Sequence, residues 1–171
     1  MTKRIFGITG WKNSGKTTLT ERLVVELKAR GWSVATVKHA HHHFDIDQPG
    51  TDSFRHRAAG AREVAIVSGR RWALMHELEG EAEPSLDNIL VRMSDCDIVL
   101  VEGYKREAHP KIEARRRDAK DRAPLSATDP AIVAIAADYL VTGETVPAFN
   151  LDDIGTIADF IEQQTGLNNA R

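Results

Sequence analysis

The sequence predicts an α/β fold: a mostly parallel, twisted sheet with helices on both faces, plus one antiparallel hairpin. Three observations carry that prediction. Strand-sized apolar runs alternate with amphipathic segments along the chain, the pattern of parallel strands crossed over by helices. A glycine-bounded loop joins the first apolar run to the first amphipathic segment. Four consecutive apolar residues, Ile98-Val99-Leu100-Val101, suit a strand buried on both faces.

The elements follow in order. Ile5-Phe6-Gly7-Ile8 is the first strand. Leu19, Leu23 and Leu27 recur at four-residue spacing with Val24 beside them, while Glu21, Arg22, Glu26 and Lys28 take the other side, giving a helix. Gly31 stands where a left-handed C-cap ends it. Ser33-Val34-Ala35-Thr36-Val37 is the second strand, which completes a right-handed parallel crossover. A polar loop covers 38–51, and a helix covers 52–61 with Asp52 or Ser53 as its cap. Val64-Ala65-Ile66-Val67 reads as a strand, Ser68-Gly69-Arg70 as a turn, and 71–75 as the antiparallel partner. Pro84-Ser85 opens a helix carrying Leu86, Ile89, Leu90 and Met93. Past the strand that ends at Glu102, a basic stretch spans 105–122 and contains a short strand around 111–114. Ile132-Val133-Ala134-Ile135-Ala136 is a further strand. Val146-Pro147-Ala148-Phe149 is a short edge strand, demoted by its proline. Asp152 or Asp153 caps a last helix with Ile157, Phe160 and Ile161 on its apolar side. With no internal repeat or low-complexity linker, residues 1–171 read as a single nucleotide-binding domain.

Composition narrows the function classes. A chain of 171 residues, 42% apolar and 28% charged, is long enough for one α/β domain with a real core. A net charge of −2 gives no case for nucleic-acid binding or adhesion to acidic membranes. No apolar run is long enough to span a bilayer. Lys3-Arg4-Ile5-Phe6-Gly7 faintly imitates a signal peptide, but Lys12 and the glycine loop cut the apolar region short. The single cysteine, Cys96, reads as a structural thiol without an internal disulfide partner. A soluble cytoplasmic protein is the expectation.

The loop Gly10-Trp11-Lys12-Asn13-Ser14-Gly15-Lys16-Thr17-Thr18 has the Gly-x-x-x-x-Gly-Lys-Thr spacing of a phosphate-binding P-loop, between the strand and helix such a loop requires. The fold class is therefore that of a P-loop NTPase. The glycines let successive N–H groups wrap phosphate oxygens, and the helix adds unpaired N–H groups and the positive end of its dipole. Gly10, Lys12, Asn13, Ser14, Gly15, Lys16, Thr17 and Thr18 are the candidate nucleotide contacts. Lys16 is expected on the β- and γ-phosphates, and the Thr17 hydroxyl on Mg²⁺.

Glu102 is the second candidate. It ends its strand on the edge where the P-loop leaves the first strand, the edge at which parallel sheets bind ligands. Asp97 cannot share the role, because five residues of strand place it ~16 Å away. Glu102 is thus the expected acid that holds Mg²⁺ or orients a water, the one tentative catalytic residue. The loop Lys38-His39-Ala40-His41-His42-His43-Phe44-Asp45-Ile46-Asp47 leaves the second strand on the same edge. Asp45 and Asp47, two apart, point one way if extended and can reach Mg²⁺ or its waters. The four histidines offer imidazoles to a soft metal or, more simply, contact phosphate and solvent. The basic residues Lys105, Arg106, Lys111, Arg115, Arg116 and Arg117 either grip a phosphorylated ligand or an acidic partner, or form a solvated loop. Asp138, in Ile135-Ala136-Ala137-Asp138, is a weak candidate for guanine recognition, since the rest of an Asn-Lys-x-Asp motif is missing.

Taken together these features resemble the molybdopterin-guanine dinucleotide biosynthesis protein B (MobB) family. The carrying residues are 10–18, Val37-Lys38-His39 running into His42-His43-Phe44-Asp45-Ile46-Asp47, Pro49-Gly50 with Asp52-Ser53, Arg71-Trp72-Ala73-Leu74-Met75, and Val101-Glu102-Gly103-Tyr104-Lys105. The resemblance implies a homodimeric accessory protein of molybdenum cofactor maturation that binds GTP with Mg²⁺ and hydrolyses it slowly at best. It implies assistance to the guanylyltransferase that joins GMP to molybdopterin, with Lys105 and nearby arginines on the pterin phosphate or the partner. Related GTPases place a signature lysine directly after the first P-loop glycine. Here that place is Trp11, with Lys12 one residue later, which agrees with poor hydrolysis. Two other functions fit parts of the sequence: a P-loop small-molecule kinase with residues 105–117 as its lid, and a nickel-insertion GTPase using the histidine loop.

Overall fold

The computed structural model describes residues 3–40 and 44–170. In chain order the elements are β1 (Ile5–Thr9), α1 (Lys16–Ala29), β2 (Val34–Lys38), α2 (Asp52–Ala58), β3 (Glu63–Val67), β4 (Trp72–His76) and α3 (Leu86–Arg92). β5 (Ile98–Glu102), β6 (Lys111–Arg115), β7 (Ile132–Ala137), β8 (Ala148–Asn150) and α4 (Ile154–Thr165) follow, and a 3-10 turn, Leu167–Ala170, closes the chain. These elements form two compact units: Met1–His39 with Met93–Arg171, and Ala40–Arg92.

The larger unit holds a six-stranded sheet in the order β2-β5-β1-β6-β7-β8, with every neighbouring pair parallel. Alternation along the strands divides its two faces. Phe6 and Ile8 of β1, Ile98 and Leu100 of β5, Ile112 and Ala114 of β6, and Ala134 and Ala136 of β7 form one apolar layer. On it lie Leu19, Leu23 and Leu27 of α1 and Ile157, Ala158 and Ile161 of α4. The leucine spacing read from the sequence is thus the buried stripe of α1. That helix ends in a Schellman motif. The N–H of Gly31 (φ 90°) donates to the Lys28 carbonyl at 2.9 Å, and that of Trp32 donates to the Leu27 carbonyl at 3.0 Å. Asp153 caps α4 as expected, accepting from the Thr156 N–H at 3.3 Å.

β5 is buried at all five residues, as four consecutive apolar side chains require. β6 is not the minor strand that its charged sequence suggests. It is interior and also buried at all five residues, including Lys111, Glu113 and Arg115. Lys111 lies opposite Gly7 of β1, and a Cβ on Gly7 would come within 2.7 Å of Lys111 Cγ and 2.6 Å of His109 Nε2. The missing side chain is the space these two groups occupy. Lys111 Nζ donates to Asp129 Oδ2 at 2.8 Å and to the Lys105 carbonyl at 3.0 Å.

In the smaller unit, β3 and β4 make the expected antiparallel hairpin, from Glu63 opposite His76 to Val67 opposite Trp72. α2 is shorter than its pattern suggests. Its cap is Thr51, whose hydroxyl accepts from the Phe54 N–H, rather than Asp52 or Ser53. Thr51 carries the extended backbone (φ −71°, ψ 156°) that a cap needs. α3 is capped by the Ser85 hydroxyl, which accepts from the Asn88 N–H at 3.2 Å.

Two stability measurements follow. Lys111→Ala leaves Asp129 without its buried partner and lowers unfolding stability by about 3 kcal/mol, read from denaturant titration. Burial and the Lys111 ammonium push the His109 imidazole down to about 4, with Asp129 opposing. Because the unfolded imidazole sits at its ordinary 6.5, the unfolded chain carries the extra proton between about pH 6.5 and about pH 4. Stability therefore falls as pH drops through that window. His109→Gln should flatten the fall in urea midpoint, and an unchanged slope would refute this account.

Candidate phosphate-binding site

The chain leaves β1 and turns into α1 through positive φ at Gly10 (144°), Asn13 (63°) and Gly15 (92°). A left-handed backbone is costly for most residues, so the glycines at the two ends of the loop permit its shape. A Cβ on Gly15 would also lie 2.7 Å from Arg116 Nε. The first turn of α1 has no side-chain cap and no acidic residue. Its leading N–H groups and the positive end of its dipole therefore face the loop without a capping side chain from the helix itself. Beside them the Ser14 hydroxyl is buried and has no hydrogen-bond partner among the described residues. Orphaned donors of this kind suit phosphate oxygens.

Parallel register brings the second candidate to the same place. Ile8 of β1 and Lys38 of β2 both lie opposite Glu102 of β5. Glu102 shares strand parity with Ile98 and Leu100, so it emerges toward α1. There the Thr17 hydroxyl donates to Glu102 Oε1 at 3.0 Å, and Lys38 Nζ lies 3.4 Å from the same oxygen. The two side chains expected at Mg²⁺ are thus in direct contact. Hard oxygen donors, one of them a carboxylate, fit that ion. Asp97 is at the other end of β5, where its carboxylate accepts from Ser33 N at 2.7 Å and Ser33 Oγ at 2.6 Å.

Lys16 Nζ donates to the Trp11 carbonyl at 2.6 Å. Burial lowers its pKa first of all; Glu102 opposes that shift, and the Lys105 and Lys38 ammoniums add to it. Lys12 and Asn13 are exposed on the loop, and Thr17 and Thr18 are exposed in the first turn of α1. Asp138 follows β7 on the same edge, with Oδ1 accepting from the Arg117 N–H at 2.8 Å. Ser14, Trp11, Arg116 and Tyr139 line a small cavity behind the loop.

The remaining candidates separate. In the smaller unit Asp45 and Asp47 do point the same way, and each accepts from the Arg57 guanidinium at 2.8 Å. His41, His42 and His43 lie outside the described residues. Among the described residues, no three His, Cys, Asp or Glu side chains converge as a metal site. Of the basic stretch, Lys111 and Arg115 are buried in ion pairs rather than presented to a ligand. Arg115 reaches Glu113 at 2.8 Å and Glu144 at 2.6 Å, and Glu113 also accepts from the N–H groups of Leu125 and Ser126. Sequence reasoning missed Glu113. Its only trace was the alternation of charge in Lys111-Ile112-Glu113-Ala114-Arg115.

Comparison with known proteins identifies the family. The family described as molybdopterin guanine dinucleotide synthesis protein B matches residues 5–138. The chain belongs to the MobB family. It is 37% identical over 159 residues to the molybdopterin-guanine dinucleotide biosynthesis adapter protein of Escherichia coli (strain K12), covering 92% of this chain and 90% of that one. With the protein of the same name from Haemophilus influenzae the identity is 40% over 161 residues, covering 92% and 87%. Its fold matches the crystal structure of a MobB homologue from Bacillus stearothermophilus with TM-score 0.72 at 29% identity, over 95% of this chain and 98% of that one. The mostly parallel sheet with an added hairpin, as expected from sequence, is thus the MobB fold. No described helix is long and apolar enough to cross a membrane.

Gly15→Ala places a Cβ against Arg116 in a left-handed backbone. The folded chain should lose about 1–2 kcal/mol. A denaturation midpoint equal to wild type would contradict this.

Proposed function

We propose that this MobB protein is a cytoplasmic GTP-binding adapter in molybdopterin-guanine dinucleotide biosynthesis, holding GTP for a guanylyltransferase partner and hydrolysing it slowly at best. The observation that carries the reading is the uncapped start of α1 at Lys16, beside the buried Ser14 hydroxyl that has no partner among the described residues. In this reading residues 10–18 bind the triphosphate, Lys16 neutralises it, and Thr17 with Glu102 holds Mg²⁺. GTP, when bound, supplies the guanylyl unit that the partner joins to molybdopterin. Asp138 is the proposed guanine reader; it follows β7 and its Oδ1 accepts from the Arg117 N–H at 2.8 Å. Asp45 and Asp47 neutralise Arg57 within the smaller unit, so Thr17 and Glu102 are the proposed metal set. Slow hydrolysis is supported by Trp11, which stands where related GTPases carry a signature lysine.

Self-association as a homodimer is part of the proposal. The hairpin presents Val67 and Trp72 at 75% and 68% exposure, an apolar surface of the kind that a second protein surface covers.

Nucleotide titration decides the central point. Wild type should bind GTP more tightly than ATP in the presence of Mg²⁺. Lys16→Ala should weaken GTP at least about tenfold, the worth of one charge-assisted contact. Asp138→Ala should lower the preference for guanine while leaving triphosphate binding in place. Equal affinity of wild type and Lys16→Ala for GTP, or failure of GTP-loaded protein to retain any guanylyltransferase, would sink the reading.

A further inference from the structure

We propose that Lys105 makes this phosphate loop prefer a nucleoside triphosphate to a diphosphate, and that Trp11 holds its ammonium in reserve at the terminal-phosphate end of the loop. The proposal rests on the nucleotide reading above and assigns the source of its selectivity.

Trp11 receives two ammoniums. Lys105 Nζ lies 4.1 Å from the centroid of the indole ring, a cation–π contact, and Lys16 Nζ bonds the Trp11 carbonyl at 2.6 Å. The lysine at the start of a P-loop helix serves the β- and γ-phosphates. Trp11, whose carbonyl Lys16 contacts, therefore marks the terminal end of the loop, and Lys105 meets the same residue. Lys38 Nζ lies 3.4 Å from Glu102 Oε1, and Lys16 feels that carboxylate together with the Lys105 and Lys38 ammoniums. That excess of positive charge suits the additional negative charge that distinguishes a triphosphate from a diphosphate.

The chain is built to deliver Lys105. After β5 it turns through Gly103 (φ 95°) and Tyr104 (φ 46°), the latter a non-glycine residue in the left-handed region. Strain of this kind persists where the surroundings enforce it. The Tyr104 ring lies 4.8 Å from that of His39, and the buried Lys111 donates to the Lys105 carbonyl at 3.0 Å and is itself anchored on Asp129. The indole is pinned as well, since Trp11 Nε1 donates to the Ala123 carbonyl at 2.7 Å. The Lys105 backbone is thus fixed while its side chain ends on a π face. That hold is weaker than a charge-assisted bond to a phosphate oxygen, so the ammonium can transfer by rotamer change alone.

Calorimetric titration of the full chain with GTP and with GDP, both with Mg²⁺, tests this in wild type, Lys105→Met, Lys105→Arg and Trp11→Leu. Lys105→Met should weaken GTP about tenfold and GDP no more than about twofold, and Lys105→Arg should recover most of the loss. Trp11→Leu, which removes the resting place but keeps the charge, should retain or raise the GTP preference. An unchanged GTP-to-GDP ratio in Lys105→Met, or equal weakening of both nucleotides, overturns the role of Lys105. Loss of the preference in Trp11→Leu overturns the reserve held by the indole. A wild-type chain that binds neither nucleotide overturns the nucleotide reading as well.

Discussion

The parallel register of β1 with β5 is the constraint from which the site follows. With Ile8 opposite Glu102, the loop that leaves β1 and the carboxylate that ends β5 emerge at one edge and on one face. Alternation then decides what Glu102 meets. Its parity is that of Ile98 and Leu100, which pack beneath α1, so its carboxylate is delivered to the first turn of that helix. A slip of one residue would turn Glu102 to the opposite face and leave Thr17 without it. The buried apolar layer fixes the register, because a slip of one residue would turn Phe6, Ile8, Ile98 and Leu100 away from the helices they pack on. Packing energy thus positions two polar groups that contribute little to stability themselves.

That logic also explains which parts of the molecule were legible in the sequence. β1, α1 and β5 announce themselves through apolar period and a glycine-bounded loop, and the contact between Thr17 and Glu102 follows from placing strand ends on one edge. β6 was read poorly for a physical reason. Alternating charge in a five-residue strand has the pattern of a half-exposed surface, and nothing local distinguishes solvent from a covering segment. Here the covering segment supplies the counter-groups: Asp129, Ser126 and Glu144, all distant in sequence. Asp45 and Asp47 show the same limit. Their common direction was legible, whereas the guanidinium they face comes from Arg57, ten or more positions on.

The buried charges of β6 also serve the site. Glu113 draws the backbone of Leu125 and Ser126 onto the sheet, and the segment leading into them presents the Ala123 carbonyl to the Trp11 indole. Lys111, on the same face, fixes the Lys105 carbonyl. Replacing such groups with well-packed apolar side chains is often neutral or stabilising for a fold in general. An apolar side chain, however, offers no directional hold on a carbonyl or an N–H. The ionic face of β6 is therefore better understood as a means of ordering two loops than as a source of stability.

Electrostatics governs the arrangement of the loop. An uncapped helix start and several ammoniums repel one another unless an anion is present, and one carboxylate cannot neutralise them all. The chain offers partial substitutes, all at hand within the loop and its neighbours. Lys16 takes a carbonyl, Lys105 takes an aromatic face, and Lys38 shares Glu102 with Thr17. Each substitute is weaker than a phosphate oxygen as a partner for a cation. The Ser14 hydroxyl, buried and without even such a substitute among the described residues, carries the cost of that arrangement most plainly. A site whose donors are undersatisfied in this way gains more from binding a polyanion than one whose donors already have full partners.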